Sequence, residues 1–374
     1  MDAALLTQPA FWNDSAPGAA GDFPGDLPDL PELRGHVLFA TSGSSGTPKW
    51  IALSKTALLA SAAAVNRHLE VTPAACWGLA LPLHHVGGFG VAARAFAAGC
   101  AWREFASRWD ATAFTRWLEQ HQVTHTTLVP TQVHDLVAAG ARAPATLRAV
   151  VVGGGHLDAP TGQAARALGW PVLASYGMTE AASQIATQGL EQLHSLYQPA
   201  PLPLLPIWQA ATTTGQLLRI SGPALFSGML VRELDPPWIF LPRPSPWHQS
   251  ADRVLLANRA LTPIGRADML VKVLGELVDP AMIERELAAL AAGRFAPGSF
   301  AVVAVPDARA EHLLVPVFDA AVAADLTAPV LAAYAAQAPG FCRLQPAVIL
   351  SHFPRSPLGK PLRPEIVAAI GSGR

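Results

Sequence analysis

The sequence predicts an α/β fold: a large N-terminal α/β domain followed by a small α+β domain. Three observations carry this. From His36 onward, short apolar runs alternate with longer helical stretches, the pattern of a sheet covered by helices. Between Gln198 and Trp247 the texture changes to proline clusters around one strand-like run. After Gly265-Arg-Ala-Asp268 a second, shorter alternation of strands and helices begins.

Taken in order, residues 1–34 are rich in Pro, Gly, Asp and Ala with little periodicity, and are expected to form a leader that wraps over or frays from the main body. The large domain is expected over 35–266. Its apolar runs His36-Val-Leu-Phe-Ala40, Thr126-Thr-Leu-Val129 and Ala149-Val-Val-Val152 read as strands, and Lys55 to Glu70 and Ala111 to Gln122 as helices. Proline clusters at Pro199–Pro203 and Pro242–Pro246 flank the strand-like Gln216–Ile220 and predict a compact, turn-rich β segment. The small domain is expected over 267–374, with a strand at Met269–Leu274, a helix at Pro280–Ala292, a strand at Phe300–Val305 and an Ala- and Leu-rich helix before Pro354. Neither an internal repeat nor a heptad pattern is visible.

The totals exclude several function classes. A chain of 374 residues exceeds what one core usually organises. At 51% hydrophobic and 14% charged it has ample core material and too little charge for a disordered protein. A net charge of -1 offers nothing to nucleic acid or an anionic membrane, so small-molecule partners are expected. Cys76, Cys100 and Cys342 are far apart and form no CxxC pair, which argues against a zinc site or disulfide framework and suits a reducing cytosol. Six acidic residues precede the first basic one, Arg34, the reverse of a signal peptide, so no export is expected. The apolar stretch Gly78–Trp102 is interrupted by His84, His85, Arg94 and glycines, too broken for a membrane helix. A soluble, cytoplasmic protein is the expectation.

The segment Thr41-Ser-Gly-Ser-Ser-Gly-Thr-Pro-Lys49 directly follows an apolar run. Small residues let backbone N–H groups approach a phosphate, hydroxyls donate further bonds, and Lys49 adds a positive charge. It is not a Walker A loop, because Pro48 precedes Lys49 and Trp50 follows it. By itself it also fits an ordinary flexible connection.

This segment resembles the phosphate loop of the adenylate-forming superfamily of acyl-CoA synthetases, adenylation domains and luciferases, and further motifs of that superfamily stand later in the chain. Leu81-Pro-Leu-His-His-Val-Gly-Gly88 is similar to its histidine motif, Val151-Val-Gly-Gly-Gly155 to its glycine turn beside adenine, and Ser175-Tyr-Gly-Met-Thr-Glu180 to its nucleotide and magnesium motif. Gly215–Pro223 resembles the next β segment, Gly265-Arg-Ala-Asp268 the hinge, and Pro354-Arg-Ser-Pro-Leu-Gly-Lys360 with Arg363 the catalytic-lysine motif. Seven segments agree in order across residues 36–363, which is far more specific than any one match.

The resemblance implies the adenylate-forming enzyme fold with a mobile small domain, and ATP, Mg2+ and coenzyme A as reactants. It assigns ATP to Thr41, Ser42, Gly43, Ser44, Ser45, Gly46, Thr47, Lys49, Gly153, Gly154, Gly155, Tyr176, Gly177, Met178, Asp252 and Arg266. Tyr176 would stack on adenine, Thr179 bond the α-phosphate, Glu180 hold the metal, and Lys360 draw carboxylate and α-phosphate together. Asp252 would hold the ribose hydroxyls, although Ser250-Ala251 replaces the usual Thr-Gly before it. Asp268 would be the hinge. Histidines on apolar stretches usually serve packing, but the resemblance places His85 between acyl pocket and thiol tunnel. Arg94 would either snorkel to solvent or meet a second carboxylate of the substrate.

Within the superfamily, the Ser183-Gln184 continuation, the segment Pro82–Gly99 with Arg94, and a phosphate loop as early as residue 41 resemble the branch that makes the coenzyme A thioester of ortho-succinylbenzoate for menaquinone. Ser183, Gln184, His85 and Arg94 would then meet the acid. The short N-terminal region leaves open how the pocket is walled, and a homodimer is one answer. Two other readings stand beside this one: a stand-alone adenylating protein that loads a carrier, and a sensor that only binds nucleotide or acyl ligand.

Overall fold

The computed structural model describes residues 3–41, 49–232, 238–307, 309–356 and 359–371. A six-stranded sheet runs in the order Ala101–Glu104, Cys76–Leu79, His125–Leu128, Ala149–Val152, Val172–Met178, Ser183–Thr187. All neighbours are parallel except the last pair, which is antiparallel. Every residue of the inner strands 76–79, 125–128 and 149–152 is buried, as parallel strands covered on both faces must be, while the fourth inner strand, Val172–Met178, emerges at its C-terminal end.

Helices start where short polar side chains can take up free backbone N–H groups. Ser54 Oγ accepts from Ala57 N at the start of Lys55–His68, Asp110 caps Ala111–Gln120, and Asp158 caps Ala159–Ala167. Val86–Ala98 begins after His85 without a side-chain cap and ends at Gly99, whose φ of 62° supplies the left-handed turn.

Two five-stranded sheets complete the large domain. One takes Gly18–Ala19, His36–Thr41, Lys49–Ser54, Gly228–Val231 and Ile239–Pro242, and the other Leu202–Pro203, Ala260–Arg266, His248–Ala257, Leu217–Ser221 and Gln209–Thr212. The proline-flanked segment is thus β-rich, and its strands are shared between two sheets.

The residues expected to form a leader are built into the body. Leu6, Trp12 and Ala20 are buried in the same core as the six-stranded sheet. Trp12 stacks on Phe96 with ring centroids 5.3 Å apart and meets Phe89 edge-on at 6.0 Å. Lys55, only 4% exposed, donates to the carbonyls of Asp14 at 2.8 Å and Ala16 at 3.2 Å, with its ammonium over the Phe11 ring. Of the two expectations, wrapping over the body or fraying from it, these aromatic and aliphatic anchors fit the first.

After Arg266 a short turn at Ala267–Met269 leads to a hairpin of Val271–Val273 and Glu276–Val278. Beyond it lie the helix Pro280–Leu290, the three-stranded sheet Phe300–Asp307, Glu311–Asp319 and Val348–Leu350, and helices Ala324–Gln337 and Arg363–Gly371. This part has its own core around Ile283, Leu287, Phe300, Phe318 and Tyr334, and a second apolar layer around Val303, Val317 and Ile366. Among the described residues no helix is long and apolar enough to cross a membrane.

Candidate functional site

The strand Val172–Met178 turns into a short 3-10 helix, Thr179–Ala181, before Ser183–Thr187 returns antiparallel to it. The return is tight. A Cβ at Gly177 would lie 1.5 Å from the Ser183 carbonyl oxygen, so no other residue fits there. Ala182 and Ser183 make the turn with φ of 50° and 96°. This places Tyr176, Gly177, Met178, Thr179 and Glu180 at the end of a sheet strand, where α/β folds bind ligands.

Tyr176 and Glu180 face a charged chain that reaches into the small domain. Tyr176 Oη donates to Asp252 Oδ2 at 2.5 Å, and Arg266 Nη1 donates to Asp252 Oδ1 at 2.8 Å. Arg266 also grips Asp268 with two bonds of 2.9 and 2.7 Å. Asp252 and Arg266 stand opposite each other in the paired strands His248–Ala257 and Ala260–Arg266, which is why residues 14 apart meet. Burial and the Asp252 carboxylate push the Tyr176 phenol well above its usual value. Burial raises the Glu180 carboxyl, with Asp252 adding to the rise and Arg266 opposing it. The bidentate bond to Arg266 holds Asp268 below the ordinary carboxylate range.

Lys360 joins this group from the small domain. Burial, Arg363 and Arg266 hold its ammonium below the ordinary lysine value, while Asp252 and Asp268 pull the other way. The preceding Gly359 lies against the large domain: a Cβ there would meet Thr131 Cγ2 at 3.0 Å.

A cavity of about 230 Å3 opens beside the same turn, walled by Gly153, Gly154, Gly177, Met178, Thr179, Ser183 and Gln184 on one side and by His85, Val86, Gly87 and Arg94 on the other. Gly154 has φ +76°, which lets the chain turn at the end of Ala149–Val152, while Gly155 packs on Pro130 and does not line the cavity. Arg94 does not snorkel to solvent. It is 2% exposed, its Nη1 donates to Thr127 Oγ1 at 3.1 Å, and its guanidinium lies 5.1 Å from the Trp77 ring. It points inward because Val86–Ala98 packs that face on the sheet, and Gly90 leaves it room: a Cβ there would be 3.0 Å from Nη2. Burial lowers the Arg94 pKa to about 10, still far above neutrality. Among the described residues no carboxylate pairs with it.

Two further groups on this cavity have unmet hydrogen bonds among the described residues: His85 Nε2 and Gln184 Oε1. Burial, with His84 beside it, lowers the His85 pKa, so the ring is neutral at pH 7. Gln184 donates its Nε2 to Thr187 Oγ1 at 2.7 Å and Ser175 Oγ at 3.2 Å, which fixes the direction of its free oxygen.

The phosphate-loop residues Ser42, Gly43, Ser44, Ser45, Gly46 and Thr47 lie outside the described residues. Their anchors are described: Thr41 and Lys49 face each other in register across the strands that flank the loop. Sequence reasoning missed Thr127 and Trp77. The signal for Thr127 was a hydroxyl pair, Thr126-Thr127, inside an otherwise apolar run.

Described residues hold no group of three His, Cys, Asp or Glu that could cage a metal. Glu180 offers one carboxylate at this site. That fits magnesium, which commonly takes one or two carboxylates and completes its shell with water and phosphate oxygens.

The family model described as AMP-binding enzyme matches residues 27–223. The 2-succinylbenzoate--CoA ligase of Enterococcus faecalis (strain ATCC 700802 / V583) is 28% identical over 282 residues, 72% of this chain and 56% of that protein. That of Escherichia coli (strain K12) is 31% identical over 257 residues, 67% of this chain and 51% of its own length. The chain therefore spans about half the length of these curated relatives. Among solved structures, the o-succinylbenzoate CoA synthetase of Bacillus subtilis in complex with the acyl-adenylate intermediate OSB-AMP superposes with a TM-score of 0.72 at 22% identity, covering 88% of this chain and 68% of that one. ATP-bound MatB from Rhodopseudomonas palustris gives 0.72 at 22%, covering 89% and 67%. The fold is that of these adenylate-forming enzymes.

Proposed function

The chain belongs to the AMP-binding enzyme family, and from that premise we propose that it is an ATP-dependent acid–thiol ligase. It activates a carboxylic acid as its AMP ester and passes the acyl group to coenzyme A. The observation that carries the substrate class is Arg94: a buried cation without an acid partner among the described residues, on a cavity that begins at the nucleotide motif. Leaving a guanidinium desolvated and unpaired is costly, so a carboxylate brought by the ligand is the natural complement. An aromatic acid with a second carboxylate meets this requirement, and ortho-succinylbenzoate is our choice, as in the relatives' names. The product would then serve menaquinone synthesis. A cytoplasmic setting goes with the use of ATP and coenzyme A.

In the first step the carboxylate oxygen attacks the α-phosphate and pyrophosphate leaves. Lys360 draws the two anions together and offsets charge in the transition state. Thr179 bonds the α-phosphate, Asp252 the ribose hydroxyls, and the Tyr176 ring covers the adenine beside the Gly153–Gly155 turn. Glu180 holds magnesium, which when bound supplies neutralising charge to the triphosphate. In the second step the small domain turns about Asp268, withdrawing Lys360. The thiol then attacks the acyl carbonyl past the neutral ring of His85, and AMP leaves.

The test is pyrophosphate release with a panel of aryl and succinyl-aryl acids, with and without coenzyme A. Release with ortho-succinylbenzoate and thioester formation on adding coenzyme A are expected. Release with other acids only would replace the substrate, transfer to a carrier protein and not coenzyme A would replace the acceptor, and no release at all would favour a binding protein.

A further inference from the structure

We infer that Glu284 is a positioning residue for Lys360, acting through Arg363. This rests on the reading of Lys360 as the residue that draws acid and α-phosphate together. Glu284 lies on the helix Pro280–Leu290, and both its carboxylate oxygens accept from Arg363 Nη2 at 2.6 Å. Its Oε1 also accepts from Val302 N at 2.7 Å, which ties the pair to the strand Phe300–Asp307 of the small domain. The ion pair is largely inside the protein, Arg363 keeping 22% and Glu284 19% of side-chain exposure. Arg363 stands three residues after Lys360 and opens the last helix.

The other end of the lysine loop is held the same way. Arg355 donates to Asp319 Oδ2 at 2.6 Å and to the Gly298 carbonyl at 2.9 Å. Between these two arginines the loop closes on itself, with Ser356 N donating to Lys360 O at 2.8 Å and Leu362 N to Pro354 O at 3.1 Å. Each of these partners belongs to the small domain, so the backbone that carries Lys360 has a fixed address within that domain whichever way the domain turns. A half-buried ion pair is a weak source of stability compared with apolar packing of the same volume. What it supplies is direction: three bonds fix the Glu284 carboxylate, two from Arg363 Nη2 and one from Val302 N, and leave the charged contact little slack. Reactions whose groups must meet within a fraction of an ångström are sensitive to such slack, and a displacement of about 1 Å costs on the order of 10²-fold.

The two half-reactions separate this role from a structural one. Lys360 acts in adenylate formation and is withdrawn for thioester formation. Glu284→Gln is expected to slow adenylation, measured by pyrophosphate release with saturating acid, by about 10- to 100-fold. The KM for ATP and the rate of thioester formation from supplied acyl-adenylate should move less than about threefold. A second variant, Glu284→Leu with Arg363→Met, keeps the volume apolar; it should restore the melting temperature and leave adenylation slow. The alkaline limb of the adenylation profile should also shift to lower pH in Glu284→Gln, because Arg363 is left unneutralised beside Lys360, which otherwise faces Arg266, Asp252 and Asp268. Equal loss in both half-reactions tracking the melting temperature, or full adenylation by Glu284→Gln, would overturn the inference. Failure of the wild type to release pyrophosphate with any acid would instead sink the adenylation reading on which it rests.

Discussion

Tyr176 and Asp252, 76 residues apart, share a hydrogen bond of 2.5 Å that joins the strand Val172–Met178 to the strand paired with Ala260–Arg266. With Arg266 on its other oxygen, the Asp252 carboxylate is held in one orientation. Tyr176→Phe keeps the ring and removes the bond. A hydrogen bond to a charged group contributes about 1.5–3 kcal/mol, so the KM for ATP should rise about 10-fold or more, with the rate at saturation within about threefold. An unchanged KM would mean the phenol is only a packing group.

Arg94→Met is expected to lower kcat/KM for ortho-succinylbenzoate by about 10²-fold and to leave a monocarboxylic aryl acid within a few-fold. The fold should survive, because the substitution removes a buried charge and does not strand one. Equal losses for both acids would place Arg94 in the scaffold and not in recognition.

Lys360→Ala should reduce adenylation by about 10²- to 10³-fold, the usual effect of deleting one preorganised transition-state contact. In the wild type the ammonium must be charged to act. Since its pKa lies below the 10.5 of an ordinary lysine, adenylation should decline as pH rises through that lower value. A rate that holds flat to pH 10.5 would contradict this.

His125 gives a stability prediction. Its ring is 1% exposed and packs 5.2 Å from Trp77, and burial lowers its pKa from 6.5 to about 4. Between those values the unfolded chain carries a proton that the folded chain refuses, so stability is lost as pH falls through this window and is fully present above it. At about pH 5 this one group costs about 2 kcal/mol. Urea melts of wild type and His125→Gln at neutral pH and in that window should show a smaller fall in the variant.

Gly177→Ala tests the turn that builds the site. With 1.5 Å between the new methyl and the Ser183 carbonyl, the strands must part, and a loss above about 4 kcal/mol is expected. Thermal melting reads it directly.

Much of this was legible in the sequence because the chemistry comes in short contiguous motifs. Tyr176 through Glu180 are neighbours in sequence and remain so in space, and the glycines at 153 and 154 announce a turn. Asp252 and Arg266 were legible only by their place in the motif order; their contact depends on strand register, which no local pattern encodes. Arg94 could be read two ways, because helical spacing does not say whether an arginine turns to the sheet or to water; packing of Val86–Ala98 decides it. For residues 1–34 composition left open whether the segment wraps over the body or frays from it; only partners far along the chain give Leu6 and Trp12 somewhere to go.

That last arrangement has a consequence for how the molecule is made. Trp12 is synthesised more than seventy-five residues before Phe89 and Phe96, the rings it rests on. Until those emerge from the ribosome, the Trp12 ring lacks the cover it has in the folded chain. Trp12 cannot settle before these partners have been made, and until then an uncovered apolar side chain is open to chaperones or to misassociation.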